Sequence, residues 1–312
     1  MKAFIFPGQG SQAVGMGKAL ADAFVEAREV FQEVDEALGQ HLSKLMFEGP
    51  EADLTLTANA QPAIMASSMA VWRVLQKQLG MKISDAAYVA GHSLGEYSAL
   101  CAAGVFSLAD TAKLLRLRGE SMQAATPAGT GGMAAIIGVD AEVLEQICKE
   151  ASVEEGICVM ANYNAPGQIV ISGSAEAVVM ACEMAKLKGA KRALPLNVSA
   201  PFHSPLMQPA ADKMRAALDA AQANLPAVPL IANITAQPVS DAEKIKDLLV
   251  QQVTGSVRWS ESVETLVKLG VTETIEMGTG KVLSGLVKRI NGDVATRNVD
   301  VPADIESAAK AA

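Results

Sequence analysis

Three observations predict a mixed α/β fold in two parts. The first is an apolar stretch, Ala86-Ala87-Tyr88-Val89-Ala90, that runs into Gly91-His92-Ser93-Leu94-Gly95 and then into a helix-forming segment at 96–103. A strand, a tight turn with a central serine and a helix make a nucleophile elbow. The second is the order of elements in residues 132–197, βαββαβ, which is the split-βαβ ferredoxin-like pattern. The third is the return to α/β alternation from Val198 onward. The expected architecture is an α/β-hydrolase-like core with a parallel sheet, formed by 1–131 and 198–312, plus an inserted ferredoxin-like (βαββαβ) small subdomain at 132–197.

The elements follow in order. Residues 3–6 read as a short buried strand that enters the glycine-rich turn Pro7-Gly8-Gln9-Gly10-Ser11-Gln12. Helical periodicity spans 18–38, and again 61–79 with Gly80 as a stop. After the elbow comes a helix at 108–124, and then Pro127-Ala128-Gly129-Thr130-Gly131-Gly132, a Pro/Gly-rich hinge into the insert. Within the insert, strands at 133–139, 157–163, 168–172 and 190–196 alternate with helices at 141–151 and 175–188. The turn Asn164-Ala165-Pro166-Gly167 joins the middle pair of strands. Further strands fall near 228–234 and 272–276, and the alanine-rich tail, 303–312, reads as a frayed helix.

Composition narrows the function classes. The 312 residues are 50% hydrophobic and 19% charged, as in a folded globular chain. Twenty-six Lys and Arg against 34 Asp and Glu give a net charge of −8, which argues against a nucleic-acid or anionic-membrane binder. No apolar run approaches the ~20 residues of a membrane helix, and the apolar start at 3–6 is too short for a signal peptide. Cys101, Cys148, Cys158 and Cys182 have no metal-like spacing and read as reduced thiols of a cytoplasmic protein.

A serine needs an adjacent base to act as a nucleophile. Of three histidines, His41 lies in a polar segment, and His92 adjoins the serine on a turn that points neighbours apart. His203, in the proline-framed loop Ser199-Ala200-Pro201-Phe202-His203-Ser204-Pro205, is the best base. No acidic residue between Ser93 and His203 stands out as an orienter, so a carbonyl is expected to hold the imidazole. The oxyanion donors would be the Leu94 N–H and an N–H of Gly8-Gln9-Gly10, unless the latter is an ordinary turn. Arg118 lies on an apolar helix face with Leu114, Leu115 and Met122. Two readings stay open for it: a partly buried structural ion pair, or a fork that grips a substrate carboxylate.

Together these residues resemble the malonyl-CoA:acyl-carrier-protein transacylases of type II fatty acid synthesis. The likeness rests on 6–12, Gln61-Pro62-Ala63, 91–99, Arg118-Gly119, Asn162, 164–168, Pro201-Phe202-His203-Ser204 and Gly278-Thr279-Gly280-Lys281-Val282-Leu283. In this likeness proline is common at the position of Thr279. The resemblance implies that Ser93 carries the malonyl group, His203 is the base and Arg118 binds the free carboxylate. It implies an oxyanion hole from the Gln9 and Leu94 N–H groups, and a Gln252 main-chain carbonyl that orients the histidine. It places His92, Gln61 and Asn162 on the pocket wall, and has Phe202 crowd an α-methyl group. It implies a site between the two subdomains, malonyl-CoA as donor, acyl carrier protein as partner, no bound cofactor or metal, and a cytoplasmic monomer in fatty acid biosynthesis. The rival readings are an esterase or thioesterase sharing the elbow, and a non-catalytic scaffold. Because the carrier proteins implied are acidic, docking calls for a local basic patch: Lys188, Lys191 and Arg192, or Lys281, Lys288 and Arg289.

Overall fold

A computed structural model describes residues 1–153, 156–198 and 200–311. Ser199, at the head of the proline-framed loop, and Ala312, at the end of the tail, lie outside the described residues. In chain order the strands are β1 (Lys2–Phe6), β2 (Tyr88–Gly91), β3 (Gly131–Ile137), β4 (Cys158–Ala165), β5 (Gln168–Ser174), β6 (Arg192–Pro195), β7 (Leu230–Ile231), β8 (Pro238–Val239), β9 (Glu273–Met277) and β10 (Ala295–Val299).

Two sheets result. The larger has the order β10-β9-β1-β2-β7-β8 and is parallel except for the β7–β8 pair. Its inner strands β1 and β2 are apolar on both faces, as a helix-covered parallel sheet requires. Phe4 and Phe6 enter one apolar cluster with Ile64, Leu115 and Val89, whereas Ala3 and Ile5 enter the opposite one with Trp259, Leu283 and Val287. The two-residue period of a strand sends alternate side chains to these two cores. The smaller sheet, β4-β5-β3-β6, is antiparallel throughout. Helices Ala141–Ala151 and Ala175–Leu187 cover one face of it through Leu144, Ile147, Ala181, Ile136 and Ile171. The βαββαβ order is the expected one. Backbone ties β4 to the segment before helix Trp259–Lys268: Val257 N–H donates to Ala161 O at 2.8 Å and Tyr163 N–H to Val257 O at 2.9 Å.

Three expectations need correction. The helix expected at 18–38 is two helices, Lys18–Ala23 and Val25–Leu38, separated by an extended Phe24. The Arg28 guanidinium donates to Ala21 O at 2.6 Å and so satisfies a carbonyl that the break leaves open. Both helices bury one continuous stripe (Leu20, Ala21, Ala27, Val30, Phe31), so the periodicity conceals the break. The helix expected from 61 begins at Thr57, with Pro62 inside its early turns. There proline removes only one intrahelical bond. The strand expected at 228–234 is only Leu230–Ile231, because the chain turns at 232–236, where Ala236 N–H donates to Ala232 O at 2.8 Å. That turn brings Asn233 to the elbow.

Candidate active site

The elbow is fixed by what glycine lacks. A Cβ on Gly91 would lie 1.9 Å from Gly95 O, and one on Gly95 would lie 2.3 Å from Phe6 O. Only glycine lets β2, the turn and helix Gly95–Ala102 approach so closely. Between them Ser93 sits at φ 54, left-handed for a non-glycine residue. Such a conformation costs on the order of 1–3 kcal/mol and persists only when surrounding contacts enforce it.

His203 reaches the serine from the loop before helix Gln208–Ala220. Its Nε2 lies 2.8 Å from Ser93 Oγ. Its Nδ1 faces two backbone carbonyls, Gln252 O at 2.8 Å and Gly255 O at 3.1 Å. Carbonyls only accept, so Nδ1 carries the proton and the Nε2 lone pair points at the hydroxyl. Burial drives the imidazole pKa down to about 3, and the nearby Arg118 charge pushes the same way. The ring is therefore a neutral acceptor at physiological pH. No acid is needed to orient it.

Arg118 comes from helix Leu108–Ala124 and is buried. The next residue explains its placement: a Cβ on Gly119 would lie 2.6 Å from Thr57 O, so glycine lets this helix cross Thr57–Leu79 closely. Arg118 Nη1 then donates to Gln61 Oε1 at 2.7 Å. Nη2 donates to Gln252 Oε1 at 2.8 Å and to Ser93 Oγ at 3.2 Å. Its charge centre lies 5.7 Å from the Tyr97 ring centroid. Among the described residues no carboxylate forms an ion pair with it, and its Nε–H has no acceptor. A buried cation held by neutral carboxamides is the opposite of the structural ion pair that the sequence left open.

Beside the serine lies a cavity of about 290 Å³. Gln9, Gln61, His92, Arg118, Phe202 and His203 all border it. Met133 and Asn162 reach it from β3 and β4, so it opens between the two sheets. The Asn162 Oδ1 is buried with no partner among the described residues. His92 turns away from the hydroxyl: its Nε2 is 2.8 Å from Asn164 Oδ1, and its ring packs 5.8 Å from that of Trp259. Burial lowers its pKa as well. Leu94 is buried at the start of helix Gly95–Ala102, and Gln9 follows β1. Among the described residues neither N–H donates to a protein acceptor. His41 is distant from this cluster, its side chain 92% exposed beside Asp35.

Sequence reasoning missed part of the cluster. Asn233 Oδ1 accepts from Ser93 N–H at 2.8 Å, and its Nδ2 donates to Gly91 O at 2.7 Å. Glu96 is buried behind the elbow, and desolvation raises its pKa to about 8. The Gln252 side chain, besides its carbonyl, donates to Ser93 O at 3.0 Å and to Glu96 Oε2. An available signal was the single Asn in Leu230-Ile231-Ala232-Asn233-Ile234. It falls at the carboxyl end of a parallel strand, where open α/β sheets place their sites.

Known proteins are similar to this chain over nearly its whole length. A family model for the acyl transferase domain matches residues 3–289. The chain is 50% identical over 306 residues to a malonyl CoA-acyl carrier protein transacylase of Bacillus subtilis (strain 168), covering 98% of this chain and 95% of that one. It is 44% identical to the protein of the same description from Escherichia coli (strain K12), covering 98% of both. Among solved structures it superposes on an acyl-carrier-protein-S-malonyltransferase of Bartonella henselae with TM-score 0.96 and 58% identity, over 99% of this chain and 98% of that one. A malonyl-transacylase solved in complex with a type II PKS acyl-carrier protein gives TM-score 0.96 at 43% identity, over 100% and 99% of the two chains. With agreement of this extent, the chain belongs to the acyl transferase domain family, among its malonyl CoA-acyl carrier protein transacylases.

Proposed function

We propose that this enzyme transfers malonyl from malonyl-CoA to the phosphopantetheine thiol of acyl carrier protein, for fatty acid synthesis, through a malonyl ester on Ser93. The observation that carries the site reading is a neutral His203 Nε2 at 2.8 Å from Ser93 Oγ, with the unpaired Arg118 guanidinium 3.2 Å from the same oxygen. In the first half-reaction His203 takes the Ser93 proton as Oγ attacks the thioester carbonyl. The oxyanion is met by the Leu94 and Gln9 N–H groups, each worth about 2.7–4 kcal/mol of barrier. The C–S bond then breaks, and CoA leaves with the proton from His203. In the second half-reaction the carrier thiol gives its proton to His203 and attacks the ester. Ser93 leaves and is reprotonated. A thioester is exchanged for a thioester, so the reaction depends on keeping water from the ester while it waits for the carrier thiol.

In this reading Arg118 binds the malonyl carboxylate, Gln61, His92 and Asn162 line its pocket, and Phe202 crowds an α-methyl group. The Gln252 carbonyl orients His203. None of these steps draws on a bound cofactor or metal. The division into 1–131 with 198–312, and 132–197, belongs to the same proposal and is supported by a second apolar core drawn only from 132–197, although Met133, Ala161 and Val170 enter the main one. So do monomeric state and cytoplasmic location; among the described residues no helix is long and apolar enough to cross a membrane. Arg118→Ala tests the substrate assignment. Malonyl loading is expected to fall about 100-fold or more, as for loss of one partner of a buried charge pair, while acetyl loading falls far less. Equal losses would remove the carboxylate role.

A further inference from the structure

The most strained residue of the elbow is also its most tightly held one. Two carboxamides from the last third of the chain grip the Ser93 peptide groups. Asn233 accepts from its N–H, and Gln252 Nε2 donates to its carbonyl. Asn233 also donates to Gly91 O, so one side chain spans both ends of the turn. Both residues converge, Asn233 by its backbone and Gln252 by its side chain, on Glu96. Its Oε1 accepts from the Asn233 backbone N–H at 3.2 Å, and its Oε2 accepts from Gln252 Nε2. All three residues are buried, and neither Asn233 nor Glu96 borders the cavity.

We propose that Asn233 and Glu96 are positioning residues for the nucleophile: Asn233 clamps Ser93 in its left-handed turn, and Glu96 braces the Asn233 backbone and the Gln252 carboxamide, and through them the Ser93–His203 geometry. The inference rests on the reading of Ser93 as the malonylated residue. Its chemistry is specific. A carboxamide accepts from Ser93 N–H and donates to Gly91 O together, which an ionised carboxylate of the same shape cannot do. Aspartate at 233 would keep the first bond and turn an oxygen toward a carbonyl. Both Glu96 oxygens accept when the carboxylate is ionised, whereas glutamine at 96 would face one of the two donors with an NH₂ group at every pH. Gln252 links the two halves of the device, because its backbone carbonyl holds His203 Nδ1 while its side chain holds Ser93. The clamp also consumes the Ser93 N–H, which leaves the Leu94 N–H to serve the oxyanion.

The test is rapid-quench malonylation by malonyl-CoA under single-turnover conditions. The wild-type enzyme is compared with Asn233→Ala, Asn233→Asp and Glu96→Gln, each checked for a cooperative melt. The expected result is an acylation rate lowered about 10- to 100-fold, the scale of a small misplacement of reacting groups. The malonyl-CoA concentration for half-maximal rate should stay within about 3-fold, since neither side chain borders the cavity. Asn233→Asp and Glu96→Gln nearly preserve shape and keep the test open should Asn233→Ala fail to fold. Folded variants that acylate within about 2-fold of wild type would overturn the proposal. So would a loss that resides wholly in the half-saturating concentration. Absence of a malonyl adduct on Ser93 in the wild-type enzyme would instead remove the underlying reading, and the inference with it.

Discussion

The small sheet and the elbow are both buried, yet they are built on opposite principles. The small sheet is held by an apolar core in which Ile136, Ile171, Leu144 and Ile147 pack with three cysteines, Cys148, Cys158 and Cys182. Its ionisable groups are thiols whose pKa values are pushed up where a shift is resolved, by the neighbouring thiol and burial at Cys158 and by burial at Cys182. The elbow buries Glu96, Arg118, His203, Asn233 and Gln252 in one connected network. Burying polar groups is unfavourable unless each finds a partner. The first region therefore spends its interior on stability, and the second on a serine in an unfavourable conformation with a neutral base aimed at it.

Substitution should separate the two. The largest effect is expected at the elbow: His203→Ala should slow malonyl transfer at least about 10³-fold, the scale seen when a serine enzyme loses its base. A loss under 10-fold in a folded variant would contradict the base assignment. In the small sheet, Ile171→Ala should lower unfolding free energy by about 2–5 kcal/mol, the range for large-to-small core changes. Denaturant unfolding measures this, and the choice of malonyl over acetyl should not move. A change in acyl preference would show that the two regions are energetically one.

Acid sharpens the contrast by a smaller amount. The folded His203 pKa of about 3 lies below the free value of 6.5. Between these values the unfolded chain binds more protons, so stability falls as pH drops through that window. Glu96, raised from 4.5 to about 8, acts in the opposite sense and loses stability as pH rises from 4.5 to 8. Denaturant midpoints between pH 6.5 and 4.5 should therefore decline less steeply in His203→Ala than in wild type. A steeper decline would mean that the ring is not held neutral. The smallest effect concerns docking, where all six candidate cations are exposed. Charge reversal at Lys188, Lys191 and Arg192, or at Lys281, Lys288 and Arg289, should raise KM for carrier protein a few-fold, as for rim charges. The KM for malonyl-CoA should not change, and equal shifts for both substrates would exclude the patch concerned.

Legibility in the sequence followed the same divide. The small sheet was readable because strand and helix periods are local, and its βαββαβ order was visible directly. The elbow was readable because its glycines, serine and flanking strand and helix are adjacent in the chain, and Gly91 is demanded by Gly95 four residues on, although Gly95 is demanded by Phe6 of β1. The break at Phe24 was hidden by a stripe that both helices share, and the brevity of β7 by apolar residues that continue past the turn. β10 and the helices Gln208–Ala220, Ala242–Thr254, Trp259–Lys268 and Val282–Ile290 were covered only by the general α/β alternation. Glu96 was unreadable as a site residue because its contact with Asn233 crosses about 140 positions of chain, and Asn233 itself was marked only by its place at the end of β7. The Gly255 carbonyl that meets His203 leaves no mark at all, since every residue type supplies one.

The central claim is that a neutral imidazole from a distant loop turns the Ser93 hydroxyl into the malonyl carrier. It is tested most directly by intact-mass and peptide mapping of the enzyme quenched after brief exposure to malonyl-CoA. The account predicts one malonyl group per chain, on Ser93, discharged when carrier protein is added. An adduct on another residue, or none on a folded enzyme that still transfers malonyl, would contradict it.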